Sequence, residues 1–440
     1  MKAQVLLPKV FNFPFTYNSE KKNKVGDIVE VPFGSRKEIG VIWKNKHEEL
    51  KNIKIKSINK NTGYSINRRL VEFIEWFSSY NMVPIGLVLK MAIGGNDKFL
   101  KKKNDLIEIK QTQVKNFNLN NEQTEALEFL KKINNKFDVA VLQGTTGSGK
   151  TLVYFERIKK IIEKNLQALV LLPEIFLTNE FKSRFEDFFG FEPAIWHSKI
   201  TSKQKRIIWK GIINNKIKIL VGARSALFLP FKKLGIIIVD EEHDQSFKQD
   251  EGIIYNARDM AIALAKYENI PINLVTAIPS LETYENVKKG KYYHSRLIKR
   301  YKNAMLPQHE IIDLKKYKLE KNSSISSKTL EKVNFHLDRG DQVLFFLNRR
   351  GFSPFVLCKK CFKVFSCPNC SINLVYHKNK KNLLCHYCGF KSSLERNCTK
   401  EGVCDYIFSG PGVERISEEV KKNFPSKKIE IFSSDTMNKK

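Results

Sequence analysis

The first 357 residues of this 440-residue chain contain no cysteine. A disulfide framework over most of the molecule is therefore excluded, and the chain suits a reducing compartment, the cytoplasm. No apolar run approaches the roughly 20 residues that span a bilayer. The opening stretch MKAQVLLPKVFNF lacks the layout of a secretory signal. These absences argue against a membrane or secreted protein. No internal repeat is present, so repeat arrays are excluded. Acidic residues are scarce beside basic ones, 46 against 77, for a formal net charge of +31. Such a surplus favours nucleic acid through phosphate contacts and counterion release. Composition accounts for part of it: 62 of the basic residues are lysine, and Asn and Ile are abundant, the mixture an AT-rich genome imposes. The length suits two to four domains of about 150 residues each.

All eight cysteines fall between Cys358 and Cys404. They run Cys358-x-x-Cys361, Cys367-x-x-Cys370, Cys385-x-x-Cys388, then Cys398 and Cys404. Two thiolates at C-x-x-C spacing fit on one tight turn and fill two corners of a tetrahedron, so the cluster reads as a zinc module. A compact metal module this late in the chain suggests an insertion.

Along the chain the patterning changes several times. Residues 1 to about 60 alternate apolar and polar residues between turns, as in Val25–Gly34 and Ile39–Trp43, and predict a small β-barrel. Leu70, Phe73, Ile74 and Phe77 then mark a helical face, closing a domain at 94. Residues 95–116 are polar and Lys-rich and read as a linker. From 117 to 290, apolar runs at Val139–Leu142, Ala168–Leu172, Ile217–Val221, Ile236–Val239 and Ile272–Val275 alternate with helical segments. Buried strands between helices predict a parallel sheet. A second α/β lobe is expected over 291–355, with a strand at Gln342–Leu347. The cysteine module (356–405) interrupts it, and 406–440 continue it.

Gly144-Thr145-Thr146-Gly147-Ser148-Gly149-Lys150-Thr151 matches G-x-x-x-x-G-K-[ST] after a strand and before a helix, the context of a P-loop. Its backbone N–H groups turn toward phosphate at a helix N-terminus. Lys150 would reach the β- and γ-phosphates of ATP and Thr151 would ligate Mg²⁺. The run Ile236–Val239 delivers Asp240 to the sheet rim, where it can hold the hydrated Mg²⁺. Glu241 is placed to polarise the attacking water, and His243 to link that site to a bound strand. Gln123 can pair bidentately with an adenine edge or can cap a helix.

Together these motifs resemble superfamily 2 helicases, and more closely the PriA family of replication-restart helicases (primosomal protein N′). Further matches are Leu172–Thr178, Gly222–Phe228, Asp240–Asp244 with Ser246–Gln249 and Tyr255–Asp259, Phe346–Phe352, and Gly410–Arg415. The resemblance implies an α/β multidomain fold: an N-terminal barrel, a RecA-like P-loop helicase lobe, and a partial second lobe with an inserted zinc module. It implies an ATP-dependent 3′→5′ DNA helicase that recognises stalled forks and initiates primosome assembly. Implied partners are forked and single-stranded DNA, other primosome proteins and single-stranded-DNA-binding protein, with a monomeric chain and no membrane. By family position, Phe15, Thr16, Gly34 and Lys54 would form a pocket for a 3′ DNA end, and Arg224 would contact the strand. Phe247, Lys248, Tyr255 and Arg258 would lie in an aromatic-rich loop that couples DNA contact to hydrolysis. Rings stack on unpaired bases and cations meet phosphates; for Phe247 and Tyr255 ordinary packing is the alternative. Two zinc ions are implied. Cys367, Cys370, Cys385 and Cys388 hold one; Cys358, Cys361, Cys398 and either Cys404 or Glu401 hold the other.

The chain also departs from the family. Thr16 stands where Asp is usual, Ile278 where Thr is usual, and 95–116 are too few for a winged helix. Only 36 residues follow Cys404, and the last two helicase motifs, with their arginine finger, are absent, so the chain reads as C-terminally truncated. These departures give an alternative expectation: a fork-binding and primosome-docking protein that binds ATP and hydrolyses it poorly.

Overall fold

The computed structural model describes residues 1–44, 55–94, 117–133, 136–173, 178–300, 304–305, 307–320, 323–347, 355–358, 360–361, 364–377, 382–393, 402, 406–409 and 412–432. The chain divides into two units, Met1–Met305 and Leu306–Lys440.

The first unit opens with β1 (Lys2–Leu6), β2 (Phe15–Asn18), β3 (Asp27–Phe33), β4 (Arg36–Ile42) and β5 (Lys60–Ser65). They form an antiparallel sheet in the order β2-β1-β4-β3-β5. Its ends meet: Asn18 bridges Ser57, just ahead of β5, and exchanges backbone hydrogen bonds with Lys56 and Ile58 at 2.9 Å. The expected barrel is therefore present. Strand alternation splits its residues. Val5, Leu7, Tyr17, Val29, Val31 and Ile42 form one core, while Leu6, Ile28, Val41 and Trp43 face the other way.

That second face meets α1 (Arg68–Tyr80) and α2 (Ile85–Ile93). Leu70, Val71, Phe73, Ile74 and Phe77 are buried along α1, each worth roughly 2 kcal/mol of removed apolar surface. Asn67 caps α1 by accepting from Leu70 N–H, and its amide donates to Glu268 Oε1 at 2.9 Å and Phe231 O at 3.2 Å. One residue thus starts the helix and ties the barrel to the neighbouring lobe. Trp209 Nε1 donates to Ala92 O at 2.8 Å and does the same for α2. The barrel region and this lobe share one core and pack as one compact unit.

The lobe runs α3 (Asn121–Lys131), β6 (Val139–Gly144), α4 (Lys150–Glu163), β7 (Gln167–Leu171), α5 (Asn179–Phe189), β8 (Ala194–Trp196), α6 (Ser202–Ile213), β9 (Ile219–Gly222) and β10 (Leu234–Asp240). A short hairpin comes next, β11 (Lys248–Gln249) with β12 (Tyr255–Asn256), then α7 (Ala257–Glu268), β13 (Ile272–Thr276), α8 (Leu281–Lys288) and β14 (Tyr293–Leu297). Seven strands pair in parallel in the order β14-β6-β13-β10-β7-β9-β8. Both faces are covered: Val141, Leu169 and Ile237 face one core, Leu142, Val170 and Ile238 the other. This explains why the strands read as unbroken apolar runs. The lobe does not end at 290. β14 pairs with β6, Leu297 opposite Gly144, so residues 293–297 belong to this sheet and not to the start of a second lobe.

The second unit contains α9 (Ser327–Asp338), β15 (Phe355–Cys358), β16 (Val375–His377), β17 (Asn382–Leu384), β18 (Lys391–Ser392), β19 (Tyr406–Ser409) and α10 (Val413–Asn423). α9 and α10 pack through Val333, Ile416, Val420 and Phe424. The Glu419 carboxylate accepts from Ser324 N–H at 2.8 Å and Ile325 N–H at 3.1 Å. The strand expected at Gln342–Leu347 is not formed. Residues 341–347 carry no ladder, and Leu344 and Phe346 are exposed. Apolar character alone does not make a strand; among the described residues no neighbour pairs with this one. The linker 95–116, with Lys101–Lys103, lies outside the described residues.

Candidate nucleotide, nucleic-acid and metal sites

Parallel packing brings the C-terminal ends of β6, β13 and β10 to one rim, where open α/β sheets bind ligands. The P-loop leaves β6 at Gly144 and enters α4 at Lys150. Gly147 and Gly149 sit at φ +83° and +81°, a region side chains rarely adopt. A Cβ at Gly149 would meet Gln123 Nε2 at 2.2 Å, and one at Gly144 would meet Ser148 Oγ at 2.5 Å. Lys150 Nζ folds back to donate to Gly144 O at 2.8 Å. Thr145 Oγ1 and Ser148 Oγ are buried without a partner. Buried hydroxyls in a glycine cradle beside a lysine fit a phosphate chain, which supplies the acceptors they lack.

Asp240 ends β10 on that rim. Tyr154 OH donates to its Oδ2 at 2.9 Å and Glu241 N–H to its Oδ1 at 3.0 Å. Burial, reinforced by Glu241, pushes its carboxyl up to about 6. Glu241 sits at φ +51°, strained for a residue with a side chain and typical of functional positions. His243 Nδ1 lies 2.8 Å from Thr276 Oγ1 at the end of β13, and 3.6 Å from Glu241 Oε2. The Thr276 hydroxyl donates onward to Ile278 O at 2.7 Å. Ile278, which stands where Thr is usual, thus engages Thr276 only through its backbone carbonyl, while its side chain is exposed.

Gln123 resolves to its capping alternative. Its Oε1 accepts from Asn120 N–H at 3.0 Å, closing a capping box, and its Nε2 donates to Ser148 O at 3.0 Å. The amide is fully buried and held at both ends, so no edge of it is open to adenine in this arrangement. It ties α3 to the P-loop instead.

The aromatic-rich loop also departs from expectation. Phe247 and Tyr255 are buried. The Tyr255 ring packs edge-on against Phe77 at 5.4 Å and Phe228 at 5.6 Å. Rings spent on the core cannot stack on bases, so packing is their role. Arg258 is buried too. Its Nη1 donates to Ser280 Oγ at 2.6 Å and to Glu242 Oε2 at 3.2 Å, and its Nε donates to Asp259 at 2.8 Å. A guanidinium so occupied does not meet DNA phosphate. Lys248 is exposed beside Asp250, and Arg224 Nη1 donates to Lys248 O at 2.8 Å, pinning the hairpin.

On the barrel, Phe15 joins Phe11, Phe13 and Phe33, with centroids 4.9–5.4 Å from its own. Gly34 follows at φ +60° with open space at its Cβ position. Thr16 points to the opposite strand face, where it exchanges hydrogen bonds with Gln4 at 3.0 and 3.3 Å. It is not on the aromatic side. Lys54 lies outside the described residues. Lys56 Nζ donates to Gly34 O at 3.1 Å, and Lys9 Nζ lies 4.9 Å from the Phe33 ring centroid.

In the second unit the sulfur atoms of Cys367, Cys370, Cys385 and Cys388 lie within 4.8 Å of one another. Zn–S bonds of about 2.3 Å place tetrahedral sulfurs somewhat under 4 Å apart, so the set fits zinc. Cys358 is buried and Cys361 half-buried, and neither forms a disulfide among the described residues, while Cys398, Glu401 and Cys404 lie outside the described residues.

The PriA 3′ DNA-binding-domain model matches residues 4–94. The model of the type III restriction enzyme res subunit matches 116–281, and that of the PriA DNA helicase Cys-rich region matches 367–392. The replication restart protein PriA of Rickettsia conorii is 41% identical over 442 aligned positions, covering 98% of this chain and 67% of that protein. This chain belongs to the PriA family. The PriA proteins of Rickettsia prowazekii and Helicobacter pylori are 42% and 31% identical, over 98% and 96% of this chain and 67% and 64% of theirs. The chain thus spans about two thirds of the length of these PriA relatives. Among the described residues no helix is long and apolar enough to cross a membrane.

Several residues of this PriA-family chain carry weight that sequence reading missed. Glu242 is buried and accepts from Ser280 N–H at 2.8 Å, Ser280 Oγ at 3.1 Å, Thr283 Oγ1 at 3.0 Å and Arg258. It joins the hydrolysis motif to the turn after β13. Its only sequence signal was its place between Glu241 and His243. Lys9, Phe13, Phe33 and Lys56 gather around Phe15 and Gly34 within the stretch matched by the PriA 3′ DNA-binding-domain model. The spacing Phe11-x-Phe13-x-Phe15 was the available clue, although Phe11 and Phe13 reach the cluster from the bend that precedes β2.

Proposed function

We propose that this chain is an ATP-dependent 3′→5′ DNA helicase of replication restart that recognises forked DNA and starts primosome assembly. One observation carries the proposal. A P-loop with unpartnered buried hydroxyls faces Asp240 and Glu241 across one rim, and the same unit carries a barrel with an aromatic cluster. Lys150 neutralises phosphate charge. Thr151 and Asp240 would hold Mg²⁺, which supplies further charge neutralisation. Glu241 accepts the proton of the attacking water, and His243 with Thr276 couples that event to the β13 turn. Gly144, Thr145, Thr146, Gly147, Ser148 and Gly149 form the phosphate cradle. Phe15 and Gly34 receive a 3′ end, with Lys54 or Lys56 on its phosphate; Arg224 and Lys248 meet the strand.

Two zinc ions complete the proposal. The Cys367, Cys370, Cys385 and Cys388 set holds one; Cys358, Cys361, Cys398 and Cys404 hold the other. The partners are forked and single-stranded DNA, single-stranded-DNA-binding protein and other primosome proteins. The test is strand displacement on a fork with a 3′-ended leading strand. ATP-dependent displacement abolished by Lys150→Ala supports the proposal. Fork binding without displacement by the wild-type chain contradicts it.

A further inference from the structure

We propose that Arg300 is a second phosphate-binding cation of the P-loop, acting beside Lys150; the inference rests on the nucleotide-site reading above. Its position follows from strand register. β14 runs parallel to β6 with Leu297 opposite Gly144, so the chain leaves β14 level with the start of the P-loop. Leu297 O accepts from Thr145 N–H at 3.4 Å. Glu122, in the first turn of α3, accepts from the N–H groups of Ile298 and Lys299 at 3.0 Å each and fixes the next step of the chain. These ties deliver Arg300 to the loop.

Arg300 Nε donates to Thr146 O at 2.9 Å and Nη1 to Met305 O at 3.1 Å. Two carbonyls engage two of the five N–H donors a guanidinium carries, leaving capacity for an anion. Among the described residues no carboxylate pairs with it. A Cβ placed on Gly147 would come within 3.8 Å of Arg300 Nε, so the cation lies against the glycine whose open backbone admits phosphate. The partnerless hydroxyls of Thr145 and Ser148 flank the same stretch. An unpaired guanidinium held by backbone bonds at a phosphate cradle is pre-organised for charge-assisted, bidentate contact with phosphate oxygens. Arg296 on the same strand lines a different cavity of about 210 Å³ with Gln143, Tyr284 and His294, and makes no such approach.

The test is fluorescence titration of the full chain with methylanthraniloyl-ADP and the corresponding non-hydrolysable triphosphate. Arg300→Ala and Arg300→Gln should each weaken binding by about tenfold or more, the scale of a lost hydrogen bond to a charged group. Arg300→Lys should recover most of the loss, and Arg296→Ala should stay within about twofold of wild type. Affinity of Arg300→Ala within about twofold of wild type overturns the proposal. So does Arg300→Gln recovering as well as Arg300→Lys, because the neutral amide reproduces only the Thr146 hydrogen bond. Equal binding by wild type and Lys150→Ala overturns the nucleotide site itself, and the proposal with it. Binding that depends on Lys150 and ignores Arg300 overturns the proposal alone.

Discussion

Replacing Asp240 by Asn should stabilise the nucleotide-free first unit while abolishing hydrolysis. Burial holds this carboxyl at about 6 against an ordinary 3.8, and its charge-free partner Tyr154 does little to offset the desolvation. A displacement of that size corresponds to about 3 kcal/mol against the ionised form. The sign comes from linkage. A carboxyl raised by folding contributes stability that is fully present below pH 3.8 and is lost as pH rises through about 6. Asp240→Asn cannot ionise, so its advantage over wild type should be near zero at pH 4 and reach about 3 kcal/mol at pH 8. Asn can still accept the Tyr154 hydroxyl. Urea unfolding in EDTA at the two pH values measures this. All four tryptophans, Trp43, Trp76, Trp196 and Trp209, lie within Met1–Met305, so their fluorescence reports that unit alone. A variant no more stable than wild type at pH 8 would refute the reasoning, as would an advantage that does not grow with pH.

Glu242→Ala should destabilise the same unit by about 3–5 kcal/mol, because it leaves the buried Arg258 and Ser280 donors without their acceptor; an unchanged urea midpoint would contradict this. Cys385→Ser should lower zinc content and lose protease resistance in residues 364–393, where the metal ties Cys367–Cys370 to Cys385–Cys388; full zinc content in the variant would exclude that ligand set. Phe15→Ala should weaken binding of a 3′-ended strand by about 1–3 kcal/mol, the value of one base–aromatic stack. It should leave binding of a 3′-phosphorylated strand nearly unchanged, and equal losses on both would place Phe15 in the core instead.

The elements legible in sequence were those whose physics is local. The runs that became β6, β7, β10 and β13 are buried on both faces and so read as unbroken apolar segments. The P-loop needs glycines at positive φ, and the Cys367–Cys388 pairs need fixed spacing, so both left motifs. Roles set by packing between distant segments were hidden. β14 reads Tyr-His-Ser-Arg-Leu, too polar to announce a strand, yet it pairs at the sheet edge where only one neighbour is needed. Phe247, Tyr255 and Arg258 looked like a DNA-facing set because aromatic and basic types suit that task. Their burial depends on Phe77 of α1 and on Glu242, neither adjacent in sequence. Thr16 and Phe15 are neighbours in one motif, but strand alternation puts them on opposite faces.

The Lys150 and Asp240–Glu241 rim should hydrolyse ATP under the control of DNA bound elsewhere on the chain. Steady-state ATP hydrolysis with and without a forked oligonucleotide measures this most directly. Turnover should rise with added fork and vanish in Lys150→Ala and Glu241→Gln. Turnover insensitive to DNA, or surviving in either variant, would contradict it.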